Sequence, residues 1–204
     1  MWLNNPEYVK VDGKKYKINT DFRVALDCNK IAEDESIGDY ERAMAIIYKL
    51  FGEEAFSCQN QNLLIKLGLK YLLLGKDENE PDFNSHKNYE LDFEKCEGLI
   101  RSSFRFDYNY DPYELEYKHF YDYYNDLSNL SSSEFGTCCA LNRVIGILDM
   151  DTSKLKGKDA KKIRDAQVEL KKMYCRKKKN KMSDKQQKSA VELYKSIGLW
   201  KGGN

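Results

Sequence analysis

The sequence predicts a mainly α, multi-helix fold in two helical portions with a small N-terminal β-hairpin. Three observations carry this. Apolar residues recur at helical spacing along most of the 204 residues, with Ser, Thr, Asp or Asn ahead of several runs and glycines after them. Two-residue alternation flanks Asp12-Gly13. Residues 75–88 are polar, contain Pro81 and show no period, so they read as a connection. The organisation expected is a hairpin plus helical portion over 1–76, an aromatic-rich helical portion over 89–150 and a basic helical tail over 151–204.

The hairpin rests on Tyr8 to Ile18, where Asp12-Gly13 supplies the positive φ angles of a type I′ turn. A lone hairpin is marginal in water, so helices must support it. Thr20 is the expected N-cap of a first helix over 21–33, with Phe22, Ala25 and Leu26 on one side. The next helix, 39–51, sets Tyr40, Ala43, Met44, Ile47, Tyr48 and Phe51 at i, i+3, i+4, i+7, i+8 and i+11, and Gly52 ends it. A third, 60–74, is apolar on most sides and stops at Gly75, which suits either the centre of the N-terminal half or an interface.

Beyond the connection, 92–104 offers Phe93, Cys96, Ile100 and Phe104 as a stripe. Asp111-Pro112-Tyr113-Glu114 combines an N-cap, a first-turn proline and an acid, predicting a helix with Tyr113, Tyr117, Phe120, Tyr124 and Leu127 along one face. Ser131-Ser132-Ser133-Glu134 predicts a capping box opening a helix to Leu148, with Phe135, Cys138, Leu141, Val144, Ile145 and Leu148 inward. A charged helix over 159–176 carries Ile163, Gln167, Leu170 and Tyr174. After a joint at Arg176 to Lys181, Ser183 with Gln186 caps a last helix with Ala190, Leu193, Tyr194 and Ile197 inward.

Composition bounds the function. The 34 Lys+Arg and 33 Asp+Glu nearly cancel, yet residues 154–204 hold 17 basic and 5 acidic residues, net +12, which leaves 17 against 28, net −11, for the rest. Such a tail suits nucleic acid, an acidic partner or the acidic half of a second copy. No apolar run approaches a membrane span and the start lacks a secretory layout, so a soluble, cytoplasmic protein is expected. The six cysteines form no C-x-x-C, and His86 and His119 lack i, i+4 spacing. Reduced core-filling thiols are therefore expected, with no metal and no cofactor.

No enzyme motif emerges. Gly75-Lys76-Asp77 and Gly157-Lys158-Asp159 lack the upstream glycine and the hydroxyl of a phosphate loop, and the dinucleotide, nucleophile-elbow and zinc-helix motifs are missing. Paired acids such as Glu114 with Glu116 and Asp122 with Asp126 leave a carboxylate hydrolase conceivable without arguing for one. The unusual feature is twelve aromatics between Tyr89 and Tyr124, interleaved with acids. Phosphates need positive charge beside stacking rings, so this stretch does not suit nucleic acid. It suits a protein interface or a helical core, and periodicity does not separate the two.

The run Val11-Asp12-Gly13-Lys14-Lys15-Tyr16-Lys17-Ile18-Asn19-Thr20-Asp21-Phe22-Arg23 resembles the opening of the phage family named after gene product fifteen. Asp92-Phe93-Glu94 with Ile100 and Phe104, the aromatic segment His119-Phe120-Tyr121, Phe135-Gly136 and Arg143 agree with it more loosely. Phe120 and Tyr121 stand where tryptophans are usual, and the Lys-rich end from Arg176 matches no motif. The resemblance implies a non-enzymatic tail assembly chaperone in the host bacterial cytoplasm. Such a protein coats the long helical tape measure protein and recruits tail tube subunits. The candidate contact residues are Tyr40, Tyr48, Tyr71, Tyr117, Tyr121 and Tyr124. The two-ended charge also suits head-to-tail self-association. The competing expectation is a nucleic-acid-binding phage protein acting through the basic C-terminal tail.

Overall fold

Asp12 and Gly13 take φ angles of 49° and 84°, as a type I′ turn requires. They join β1 (Tyr8–Val11) to β2 (Lys14–Lys17), antiparallel, with Val9 opposite Tyr16. This is a computed structural model, in which residues 5–76, 89–131, 138–153 and 155–176 are described. Val9, Val11 and Tyr16 point inward from the hairpin and are buried, while the alternate residues face out.

Seven α-helices follow among the described residues, so the architecture is mainly α with one hairpin. The chain divides into two units. The first comprises residues 5–76 with Tyr117–Asp122; the second comprises 89–116 and 123–176.

In the first unit, α1 (Phe22–Glu33) is capped by Asp21, whose carboxylate accepts from the Arg23 N–H at 2.9 Å. Thr20, the cap expected from sequence, is buried instead, its hydroxyl 2.6 Å from that of Tyr117. Helix α2 (Asp39–Phe51) has the expected bounds, but its buried residues are Ile46, Ile47, Leu50 and Phe51. Tyr40 and Tyr48, which share the helical spacing of Ile47 and Phe51, are exposed. A 3-10 turn (Gly52–Ser57) leads to α3 (Gln61–Leu72), capped by Asn60. Gly68 lets α2 and α3 approach, since a Cβ there would sit 3.2 Å from both Leu50 Cδ1 and Phe51 Cε2.

A strap closes this unit. Asp21 and His119 form an isolated antiparallel bridge, the Phe22 N–H donates to Lys118 O at 3.0 Å and the Phe120 N–H to Thr20 O at 2.7 Å. This pairing explains why the helix predicted from Asp111 fails to propagate. Asp111 does cap, accepting from the Tyr113 N–H at 2.9 Å, but the product is a 3-10 turn (Pro112–Glu114), and α5 (Phe120–Ser128) begins only after the strap. Tyr113, Tyr117 and Tyr124 therefore do not share one helix face.

In the second unit, α4 (Glu97–Tyr108) starts later than expected. The Asp92 carboxylate accepts from the Glu94 and Lys95 N–H groups and holds a turn instead. The Ser131 hydroxyl donates to Asp107 at 2.7 Å and accepts from the Cys139 N–H at 3.2 Å. Helix α6 (Ala140–Asp149) starts behind Cys139. The remainder of the expected capping box, with Phe135 and Gly136, lies outside the described residues. Helix α7 (Gly157–Tyr174) turns Ala160, Ile163, Gln167, Leu170 and Tyr174 inward. Gln167 Nε2 donates to Ile147 O and Met150 O, both at 2.9 Å, satisfying carbonyls at the end of α6. Leu91 bridges Cys175, so the two ends of this unit are pinned together. The expected joint from Lys177 onward and the last expected helix lie outside the described residues.

Candidate protein-interaction surface

Helix α2 is apolar over a wider arc than its neighbours cover. One stripe, Ile46, Ile47, Leu50 and Phe51, is buried. A second, Tyr40, Met44 and Tyr48 at four-residue steps, runs along another side over about 12 Å. Tyr40 is 60% exposed, Tyr48 46% and Phe56, in the following 3-10 turn, 52%. The rings of Tyr48 and Phe56 stack with centroids 5.6 Å apart and planes 25° from parallel, so two large rings present one apolar platform.

The sequence around this platform is acidic, although Lys14 of the hairpin reaches Glu54 at 3.8 Å. Between residues 33 and 56 lie Glu33, Asp34, Glu35, Asp39, Glu41, Glu53 and Glu54 against Arg42 and Lys49, a net of −5. Both cations are engaged: Arg42 with Asp39 and with Asp34 O at 2.9 Å, and Lys49 with Asp27 at 3.0 Å. An apolar centre with a charged rim is the anatomy of a protein-binding patch.

The six tyrosines singled out by sequence divide. Tyr40 and Tyr48 belong to this surface. Tyr71 does not: it is 2% exposed, stacks on Tyr121 with centroids 5.2 Å apart, and burial drives its hydroxyl pKa upward. Tyr121 is half-buried and donates to Tyr71 O at 3.1 Å, so it serves the strap. Tyr117 exposes its ring while its hydroxyl engages Thr20. Tyr124, on α5, is exposed in the second unit. Most of the aromatic run of that unit is structural, with Phe104 fully buried against Tyr108, Tyr110 and Tyr123 at 5.6 Å each.

Sequence reasoning missed Phe56, which follows the Gly52 stop and so falls outside any helical period. Its signal was local: an aromatic residue just after the acid pair Glu53-Glu54. Phe106, one of the twelve aromatics between Tyr89 and Tyr124, is 60% exposed on α4.

The carboxylates weighed for chemistry are engaged in the fold. Glu114 accepts from Arg105 at 2.7 Å and Arg101 at 3.3 Å, Asp122 from Asn5 at 2.8 Å, and Asp126 from the Tyr110 hydroxyl at 2.7 Å. Five of the six thiols are buried and Cys138 is half-buried. Burial, with the Asp27 charge, pushes Cys28 up to about 12, and burial pushes Cys96 up to about 11. Among the described residues, no three His, Cys, Asp or Glu side chains group as metal ligands would, and no helix is long and apolar enough to cross a membrane. The six basic residues of α7 outnumber its three acids, and two of them are paired, Lys162 with Asp159 at 3.9 Å and Lys172 with Glu169 at 2.8 Å.

No curated protein and no solved structure matches the chain. A family model described as "Bacteriophage Gp15 protein" matches residues 3–175, spanning the hairpin, the strap and all seven described helices. The chain belongs to the bacteriophage Gp15 protein family.

Proposed function

We propose that this phage protein is a tail assembly chaperone. In this reading it is a non-enzymatic adaptor that binds the tape measure protein and recruits tail tube subunits in the host bacterial cytoplasm. The observation that carries the reading is the Tyr40, Tyr48 and Phe56 face of α2, an apolar surface left open by a unit whose core is otherwise closed. A long helical partner would lay its own apolar stripe on such a face, with rings as anchors and the acids setting register. Family membership supports a structural or assembly role in a phage.

Co-expression with the candidate tape measure protein, followed by pull-down and light scattering at low and at about 1 M salt, tests this. At high salt the Debye length falls to about 3 Å, so a complex that survives is held by apolar contact. Such a complex supports the proposal. Absence of a complex, with nucleic acid retained at low salt and released steeply as salt rises, favours instead the nucleic-acid reading of the basic tail.

A further inference from the structure

The chain continues for 28 residues past Arg176, and their composition is the complement of the α2 face. Residues 177–204 carry eight lysines against Asp184 and Glu192, a net of +6, where residues 33–56 total −5, with one of those acids, Glu54, paired to Lys14 at 3.8 Å. The same stretch sets Ala190, Leu193, Tyr194 and Ile197 at i, i+3, i+4 and i+7, followed by Leu199 and Trp200. The apolar residues thus fall between lysines at 185, 188, 195 and 201, as Tyr40 and Tyr48 fall between acids at 39, 41, 53 and 54 and Phe56 follows the last of them. Pairing of an amphipathic basic segment with an apolar, acid-rimmed helix face satisfies both partners, and the lysines steer the encounter.

We propose that the occupant of the Tyr40–Tyr48–Phe56 face, when no other protein is bound, is this chain's own C-terminal segment, residues 183–201. The segment then acts as a built-in competitor. It shields the exposed rings from aggregation, and an assembly partner must displace it, so occupancy depends on partner concentration. This inference rests on reading the α2 face as a docking surface. Its test contains no tape measure protein, so it and the chaperone reading can fail separately.

The test uses the full chain with a benzophenone amino acid in place of Tyr48, a ring exchanged for a ring, and mass-spectrometric mapping of the photo-crosslinks. The expected products join position 48 to residues 183–201, within one chain or between two copies alike. The same probe at Phe106 of the second unit should give few such products. Adding Lys185→Glu and Lys188→Glu should lower the yield from position 48 roughly fivefold, because two attractive charges become repulsive. Crosslinks from position 48 that fall elsewhere, a yield indifferent to the two charge reversals, or equal capture of the segment by a probe at Phe106 would each overturn the proposal.

Discussion

In the first unit the side chains of Ile47, Leu50 and Leu64 are fully buried, and Gly68 supplies the room that brings α2 onto α3. In the second unit equally buried positions include polar groups beside Ile100 and Phe104. Ser103, with no exposed surface, donates to Leu99 O at 2.7 Å and accepts from the Leu141 N–H at 3.0 Å, tying α4 to the start of α6. The Asp111 side chain, 1% exposed, takes Arg101 at 2.7 Å and Arg105 at 2.8 Å while capping its own turn. Apolar packing is non-directional, so the first unit can leave surplus apolar surface on α2 without losing its fold. Directed hydrogen bonds consume their partners, and the aromatics of the second unit are largely spent on that network and its ring stack. Surface rings therefore carry different meanings in the two units: Tyr40 and Tyr48 of α2 stand outside the packed core of the first unit.

The largest effect expected from breaking this contrast is at Phe104. Phe104→Ala should cost about 3–5 kcal/mol in urea unfolding, since the ring is completely buried against three tyrosines. A loss below about 1 kcal/mol would mean the stack is not the core of that unit.

Asp111 comes next. Burial alone would raise its carboxyl, but the Arg101 bond, the Tyr113 N–H and the charges of Arg101 and Arg105 outweigh it and hold it below the ordinary value of 3.8. A carboxyl depressed in the folded state stabilises fully above its unfolded pKa, and that contribution is lost as pH falls through the folded pKa. Asp111→Asn should therefore cost about 1–3 kcal/mol at neutral pH and flatten the loss of stability seen below about pH 4. An unchanged acid limb in pH-dependent melting would contradict this.

Gly68→Leu probes the first unit by overfilling it and should cost about 1–3 kcal/mol, with α2 and α3 forced apart. Thiol labelling gives the smallest perturbation. In the native protein near pH 8, Cys138 should react well before Cys28 and Cys96, whose thiols are buried with raised pKa values. Rapid native labelling of Cys28 would show that the first unit opens more readily than its packing implies.

Where local pattern and tertiary pairing agreed, the sequence was readable. The bounds of α2 and the I′ turn at Asp12-Gly13 are both fixed by neighbours within a turn or two. The failures have a common cause. The start signal at Asp111-Pro112 is real, yet the strap pairs His119 with Asp21, nearly a hundred residues away, and no local period encodes that competition. The strap also decides the candidate surface. Tyr71 and Tyr48 look alike in sequence, each a tyrosine on an apolar helix. Tyr71 is covered because Tyr121 stacks on it, whereas Tyr48 stacks on the exposed ring of Phe56 and stays 46% exposed.

The central claim, that the rings of α2 serve binding and not folding, is tested most directly by the full chain carrying Tyr48→Ser and Phe56→Ser together. Its melting should stay within about 0.5 kcal/mol of the parent. Capture of the tape measure protein should fall about thirtyfold or more, the loss of an aromatic anchor worth about 2 kcal/mol. Parental capture by a protein of parental stability would contradict the claim.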